Sequence, residues 1–213
     1  MIAAIIRRDC ARGWAGGAAA MPVIFVLMVA TLVPFALGPD TRLLAATGGG
    51  MLWVAALLAS LLPIDRLIDP DRDAGVLDQM IVRGARDETI MAAKLLAHWL
   101  NFGPPLLVAC LPAAALLQLP GETLLRLELS LLIGTPGLAA LALMTAAITA
   151  GLKGSSALSG LLVLPLAVPL LIFGAGALGA NSGAALKLLA ASALLLVAMA
   201  PFAAGAAMRA GRE

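Results

Sequence analysis

Histidine and cysteine are nearly missing from this chain of 213 residues, which has one His and two Cys. A lone imidazole and two thiols a hundred positions apart cannot close a metal site, whose structural form takes four ligands. No metal is therefore expected. No C-x-x-C or C-x-x-C-H occurs, which excludes a thiol-redox motif and the common covalent haem attachment; Cys10 and Cys110 read as packing residues. A phosphate-cradling G-x-x-x-x-G-K-[ST] is also absent, since TGGG at 47–50 and GLKGSS at 151–156 lack its spacing. Without H-E-x-x-H, G-x-S-x-G or paired carboxylates inside the apolar runs, the chain is expected to be non-catalytic, with any ATP handled on another subunit. Charge is scarce as well, at 12% of residues against about 25% in soluble domains.

What is abundant is apolar surface. Hydrophobic residues make up 62% of the chain and mean hydropathy is +1.04, so lipid rather than water has to be the solvent. A bilayer core takes about 20 apolar residues per helix, and six stretches qualify: 19–37, 48–64, 92–118, 124–149, 157–179 and 187–208. The runs are continuously apolar, unlike the alternating strands of a barrel. The expectation is an all-α, polytopic, single-domain membrane protein with about six spans.

Lys and Arg in short loops set orientation. Arg7, Arg8, Arg12, Arg66, Arg72, Arg83, Arg86, Lys94, Lys153, Arg209 and Arg212 fall on one side, and Arg42, Arg126 and Lys187 on the other. Both termini are thus expected in the cytoplasm, with no cleavable signal at the start.

Residues 1–18 place Ile2, Ile5 and Ile6 opposite Arg7, Arg8 and Arg12, an interfacial-helix pattern with Trp14 at headgroup depth. Gly38-Pro39-Asp40 makes a turn. The longest polar stretch, 65–91, is expected in the cytoplasm. Within it Asp73 is placed to cap a short helix running to about Arg83, with Gly84 stopping it. Val76, Leu77, Met80 and Ile81 would form its apolar side. An acidic helix is repelled by an anionic leaflet, so docking of a soluble partner is the favoured role. Glu122 and Arg126 stand at pairing distance on one helix face. Pro165 and Pro169 interrupt the fifth run and raise the alternative of a short span with a re-entrant half-helix. His98 lies about two turns into the third span; imidazole is a common haem-iron ligand, and the competing reading is a helix–helix hydrogen bond. Trp99 beside it reads as an interface anchor.

Specific strings add to this outline: WVAALLASLLPIDRL at 53–67, DAGVLDQMIV at 73–82, KLLAHWL at 94–100, LLIGTPGL at 131–138, GLKGS at 151–155 and VLPLAVPLLIFGAGA at 163–177. In that order, across nearly the whole chain, they resemble the CcmB family, the membrane subunit of the ABC-type haem exporter complex in cytochrome c maturation. The resemblance implies an ABC-2-type permease (type V exporter-like) in the bacterial inner membrane, paired with itself and with a CcmA-type ATPase. It implies CcmC-type and CcmD-type membrane partners and a CcmE-type haem chaperone whose release ATP hydrolysis assists. Haem is then the handled species, with His98 a candidate contact to it or to a partner, and no nucleic acid is implicated. By the same resemblance the loop helix meets the ATPase through Asp73, Val76, Leu77, Asp78, Gln79 and Met80. An ABC-2 permease for another substrate, and a passive scaffold for haem-delivery proteins, stand as alternatives.

Overall fold

The structure is a computed structural model, described for residues 2–62, 64–151, 155–179 and 182–212, with the side chains of 155–159 left aside. Lys153, counted above for orientation, lies outside the described residues. Helix is the regular structure found there: α1 (Ile2–Ala15), α2 (Ala20–Leu37), α3 (Thr41–Leu61), α4 (Asp69–Asp73), α5 (Val76–Val82), α6 (Asp87–Leu116), α7 (Gly121–Thr149), α8 (Ser155–Gly176) and α9 (Ser182–Ala210). In lipid every backbone N–H and C=O must be satisfied inside its own segment, which a helix does and an open strand does not. Five helices are long and apolar enough to cross a membrane, namely α2, α3, α6, α7 and α9. The chain is an all-α, polytopic membrane protein.

The proline-rich runs stay helical. α8 is continuous through Pro165 and Pro169, which removes the re-entrant alternative. α6 likewise runs through Pro104, Pro105 and Pro112, as tertiary packing tolerates in spanning helices. Helix starts follow local chemistry. The Asp40 carboxylate accepts from the backbone N–H of Arg42 (2.9 Å) and Leu43 (3.2 Å), capping α3. At the same end of the bundle Arg126 pairs with Glu122 at 2.6 Å and donates to the Gly179 carbonyl at 3.1 Å, closing α7 onto the turn after α8.

α7 is the axis of the bundle: it packs against α3, α6, α8 and α9. Since lipid tails are as apolar as leucine, such contacts rest on close packing and interhelical hydrogen bonds. Trp53 shows both. It is fully buried, and its indole N–H donates to Ser130 Oγ on α7 at 2.9 Å. The ring lies against Gly134 of α7 and Gly174 of α8, where an added Cβ would come within 2.4 Å and 2.3 Å of it. A second indole repeats the device. Trp99 donates to Thr135 Oγ1 at 3.1 Å and packs on Gly103, so it joins α6 to α7 instead of anchoring the chain at the interface.

Because α7 and α8 both close onto one ring, a side chain at Gly174 has nowhere to go. Gly174→Val should lower stability by the roughly 1–3 kcal/mol typical of overpacking, read as an earlier unfolding midpoint in detergent. Trp53→Ala should cost more, on the order of 3–5 kcal/mol, whereas Ser130→Ala should cost only about 1 kcal/mol.

Candidate functional site

One end of the bundle gathers both chain termini and the polar segment between α3 and α6. The C-terminal arginines fix one side of it: Arg212 pairs with Asp87 at 2.7 Å and Arg209 with Glu88 at 2.5 Å. Asp69 accepts from the Gly151 N–H at 3.2 Å, holding α4 to the end of α7.

The α1 helix is not simply a basic flank on a membrane surface. Its residues Ile5, Arg8, Asp9, Arg12 and Gly13 recur at helical spacing on one face, and that face lies along Lys94, Ala97, His98 and Asn101 of α6. Asn101 Nδ2 donates to the Asp9 carbonyl at 3.2 Å. Gly13 is so close that a Cβ there would meet the Asn101 amide at 2.5 Å. Cys10 is a free thiol 3.9 Å from the Ala97 carbonyl, and Cys110 is free and buried.

At the centre sits Asp71 of α4, 2% exposed. Its Oδ2 meets Lys94 Nζ and Arg8 Nη2, each at 2.5 Å, and its Oδ1 meets Arg12 Nη1 at 2.7 Å. Lys94, also buried, donates further to the Leu67 carbonyl at 2.8 Å and lies 3.4 Å from Asp9. Arg8 returns to Asp9 at 2.7 Å. Burial alone would raise the Asp71 carboxyl, but the Lys94 ammonium, with Arg12 and Arg8, overcomes that and holds it below the ordinary carboxylate range. The group is a charged knot of three cations and two carboxylates from three separate segments. Sequence reading does not reveal it: Arg8 and Arg12 fit the basic face of an interfacial helix, Lys94 fits the positive-inside count, and nothing along the chain pairs position 71 with 8, 12 or 94.

The loop helix also differs from its expected form. Asp73 ends α4 and does not cap α5; Gly75, in the left-handed region at φ +66°, separates the two short helices and stands at the start of α5 without a side-chain cap. Such a φ favours glycine, so the break falls there. Gly84, at φ +86°, follows the end of α5. Leu77 is 3% exposed and packs into the core, with Met80 partly buried beside it. Asp73, Asp78 and Gln79 are exposed and Val76 half-buried, while Val82 is the exposed apolar residue at 87%. Leu77 therefore holds α5 to the bundle, while Asp73, Asp78, Gln79 and Val82 remain exposed.

His98 is 3% exposed and stacks on Phe102 with ring centroids 5.9 Å apart. Its Nε2 has no hydrogen-bond partner among the described residues. It lines a cavity of about 270 Å³ together with Asp9, Arg12, Arg66, Asp71, Lys94 and Asn101. No group of three or more His, Cys, Asp or Glu able to hold a metal occurs among the described residues. One intramembrane acid escaped the sequence reading: Glu128 on α7 has a buried Oε1 without a partner there.

A bundle of spanning helices, an amphipathic helix knotted to its polar end and a short helix beside it define a multi-pass membrane protein. The chain belongs to the CcmB family, whose description is "CcmB protein" and which it matches over residues 1–211. It is 46% identical over 200 residues to heme exporter protein B of Paracoccus denitrificans, covering 92% of each chain. It is 44% identical over 200 residues to the protein of that name from Rhodobacter capsulatus, again 92% of each. For the Bradyrhizobium diazoefficiens protein of the same name the identity is 42% over 219 residues, 100% of this chain and 99% of that one.

The knot has a pH signature with a defined sign. Because Asp71 titrates lower in the folded protein than in the unfolded chain, its stabilisation is complete above the ordinary carboxylate range. It is lost as pH falls through the depressed native value. Asp71→Asn should destabilise by about 3–5 kcal/mol by stranding buried Lys94, and Asp71→Asn with Lys94→Met should recover part of that. Denaturation midpoints of the two variants between pH 7 and pH 3 check both statements.

Proposed function

We propose that this chain is the membrane permease subunit of an ABC-type complex that serves c-type cytochrome assembly by exporting or delivering haem. The observation that carries the proposal is family membership along essentially the whole chain, with relatives named heme exporter protein B. In this reading the protein sits in the bacterial inner membrane as six spans, α8 (Ser155–Gly176) being the sixth beside the five long helices. Both termini and the α4–α5 segment face the cytoplasm, as the lysine and arginine asymmetry favours. The chain pairs with a second copy of itself and with a CcmA-type ATPase, and works beside CcmC-type and CcmD-type membrane proteins. ATP hydrolysed on the partner is coupled here to release of the haem-loaded CcmE-type chaperone.

The exposed face of α5, with Asp73 at the end of α4, is the proposed ATPase contact, through Asp73, Asp78, Gln79 and Val82. Leu77, and in part Met80, transmit from beneath. Leu77 is buried and lines a cavity shared with Ala147 of α7 and Met208 of α9, so motion imposed on α5 is passed toward those helices. Asp71, five residues before Val76, carries the same motion to α1 and α6. His98 is proposed as a contact near this relay and not as a haem ligand in a closed pocket. The cavity of about 270 Å³ beside it falls below the roughly 300–1,000 Å³ usual for drug-sized ligands.

Deletion of the gene should abolish haem-stained c-type cytochromes in membranes, and restoring it should return them; persistence of the haem-stained bands in the deletion strain refutes the haem role. Val82→Asp combined with Asp78→Arg should remove the ATPase subunit from the purified complex while the protein still inserts. Unaltered co-purification would place docking elsewhere, whatever the cytochromes do.

A further inference from the structure

The cavity beneath α1 has the chemistry of an anion site with an apolar half. Its polar wall carries Arg12, Arg66 and Lys94 against Asp9 and Asp71. Two of those cations are engaged by Asp71. Arg66 is different: it is exposed, and among the described residues its one hydrogen bond is a long one, 3.4 Å, to the Gly16 carbonyl, with no carboxylate partner. Arg12 uses one nitrogen on Asp71 and keeps its side chain 55% exposed, leaving other donors of its guanidinium fork available. At the inner wall His98 is buried yet leaves Nε2 unpartnered, a state that costs about 1–3 kcal/mol unless something outside the chain bonds it. The remaining wall is Asn101, whose amide donates to the Asp9 carbonyl and whose Oδ1 has no partner among the described residues, together with the apolar or small Ala18, Pro22, Leu67, Ala97 and Phe102.

Position narrows the anion. The cavity lies at the end of the bundle where the apolar helices give way to charge, and Trp14, 65% exposed on α1, suits headgroup depth. The abundant anion at that depth is the phosphate of a phospholipid. A tetrahedral phosphate matches the fork of an arginine, and the apolar wall suits the glycerol and first methylenes beyond it.

We propose that this cavity binds the phosphate group of an anionic phospholipid, with Arg66 and Arg12 on its oxygens and the His98 Nε2–H completing the set. A lipid seated there bridges α1, α6 and the segment before α4, and so adds a membrane-derived strut to the Asp71 knot.

The test uses the full chain, released from lipid nanodiscs and followed by native mass spectrometry. Nanodiscs of phosphatidylcholine alone are compared with nanodiscs containing phosphatidylglycerol. The wild-type protein should retain one phosphatidylglycerol, and Arg66→Gln should weaken retention about fivefold, the worth of one cation near an anionic headgroup. His98→Phe should weaken it similarly, while His98→Gln, which restores a donor, should not. Arg66 is exposed at the rim, so its variant reads out binding even if a His98 substitution disturbs folding, and an unfolding midpoint measured in parallel checks that. Equal retention by wild type and Arg66→Gln overturns the site. So does loss of retained lipid to millimolar inorganic phosphate, which would identify a free-anion site, or no retained lipid at all, which would leave the cavity to water.

Discussion

A carboxylate buried to 2% exposure is expensive to desolvate, and Asp71 is stable there only because three cations reach it from two other elements. That requirement organises the polar end of the molecule. Arg8 and Arg12 bring α1, Lys94 brings α6, and the Leu67 carbonyl on Lys94 fixes the chain just before α4. Net stability is not what such a cluster chiefly provides, since a well-packed apolar replacement can match it. What it provides is register. Moving α1 by one turn along α6 would separate Arg8 and Arg12 from the one carboxylate that neutralises them. The Gly13 contact with Asn101 enforces the same register sterically.

Inside the membrane the ordering constraint is shape. The two tryptophans supply interhelical hydrogen bonds, to Ser130 and Thr135, and each ring is received by glycine on a neighbouring turn or helix. This gives a physical meaning to strings that otherwise look like undifferentiated hydrophobic sequence. Trp53 opens the first of them, Gly134 sits in the fourth and Gly174 in the sixth; these positions meet at a single point where α3, α7 and α8 cross. The two constraints are also linked through sequence: Trp53 lies on the helix that leads into the Asp71 segment, and α7, which receives the ring, ends at the Gly151 N–H bonded to Asp69.

Much of the helical framework was legible because hydropathy over twenty residues is a strong and local signal. The turn at Asp40, the Glu122–Arg126 pair and the end of the loop helix at Gly84 were legible for the same reason, being local. Four things were not. The separation of α4 from α5 depends on a positive φ at Gly75, and Asp73 looked like a better helix start than a glycine does. The inward turn of Leu77 faces residues distant in sequence, sharing a cavity with Ala147 of α7 and Met208 of α9. The knot joins positions separated by 23, 59 and 63 residues, a pairing no periodicity encodes, and its members were individually plausible as ordinary positive-inside charges. Glu128 was passed over because a solitary acid near the start of a span resembles the interfacial pair just before it.

The span of those pairings sets an order for assembly at the ribosome. Domains form from the N-terminus as the chain is made, yet α1 emerges with Arg8, Asp9 and Arg12 and has no buried carboxylate to meet. Asp71 is made later and would itself be unstable in its final place without Lys94, which comes later still. Until about residue 94 has emerged, α1 lacks the partners on α4 and α6 that hold it to the bundle. The opposite end of the chain closes last, when Arg209 and Arg212 reach back to Asp87 and Glu88. Helix α6, which carries Lys94, Asp87 and Glu88, is therefore the splint on which both ends of the polypeptide are set, first one and then the other.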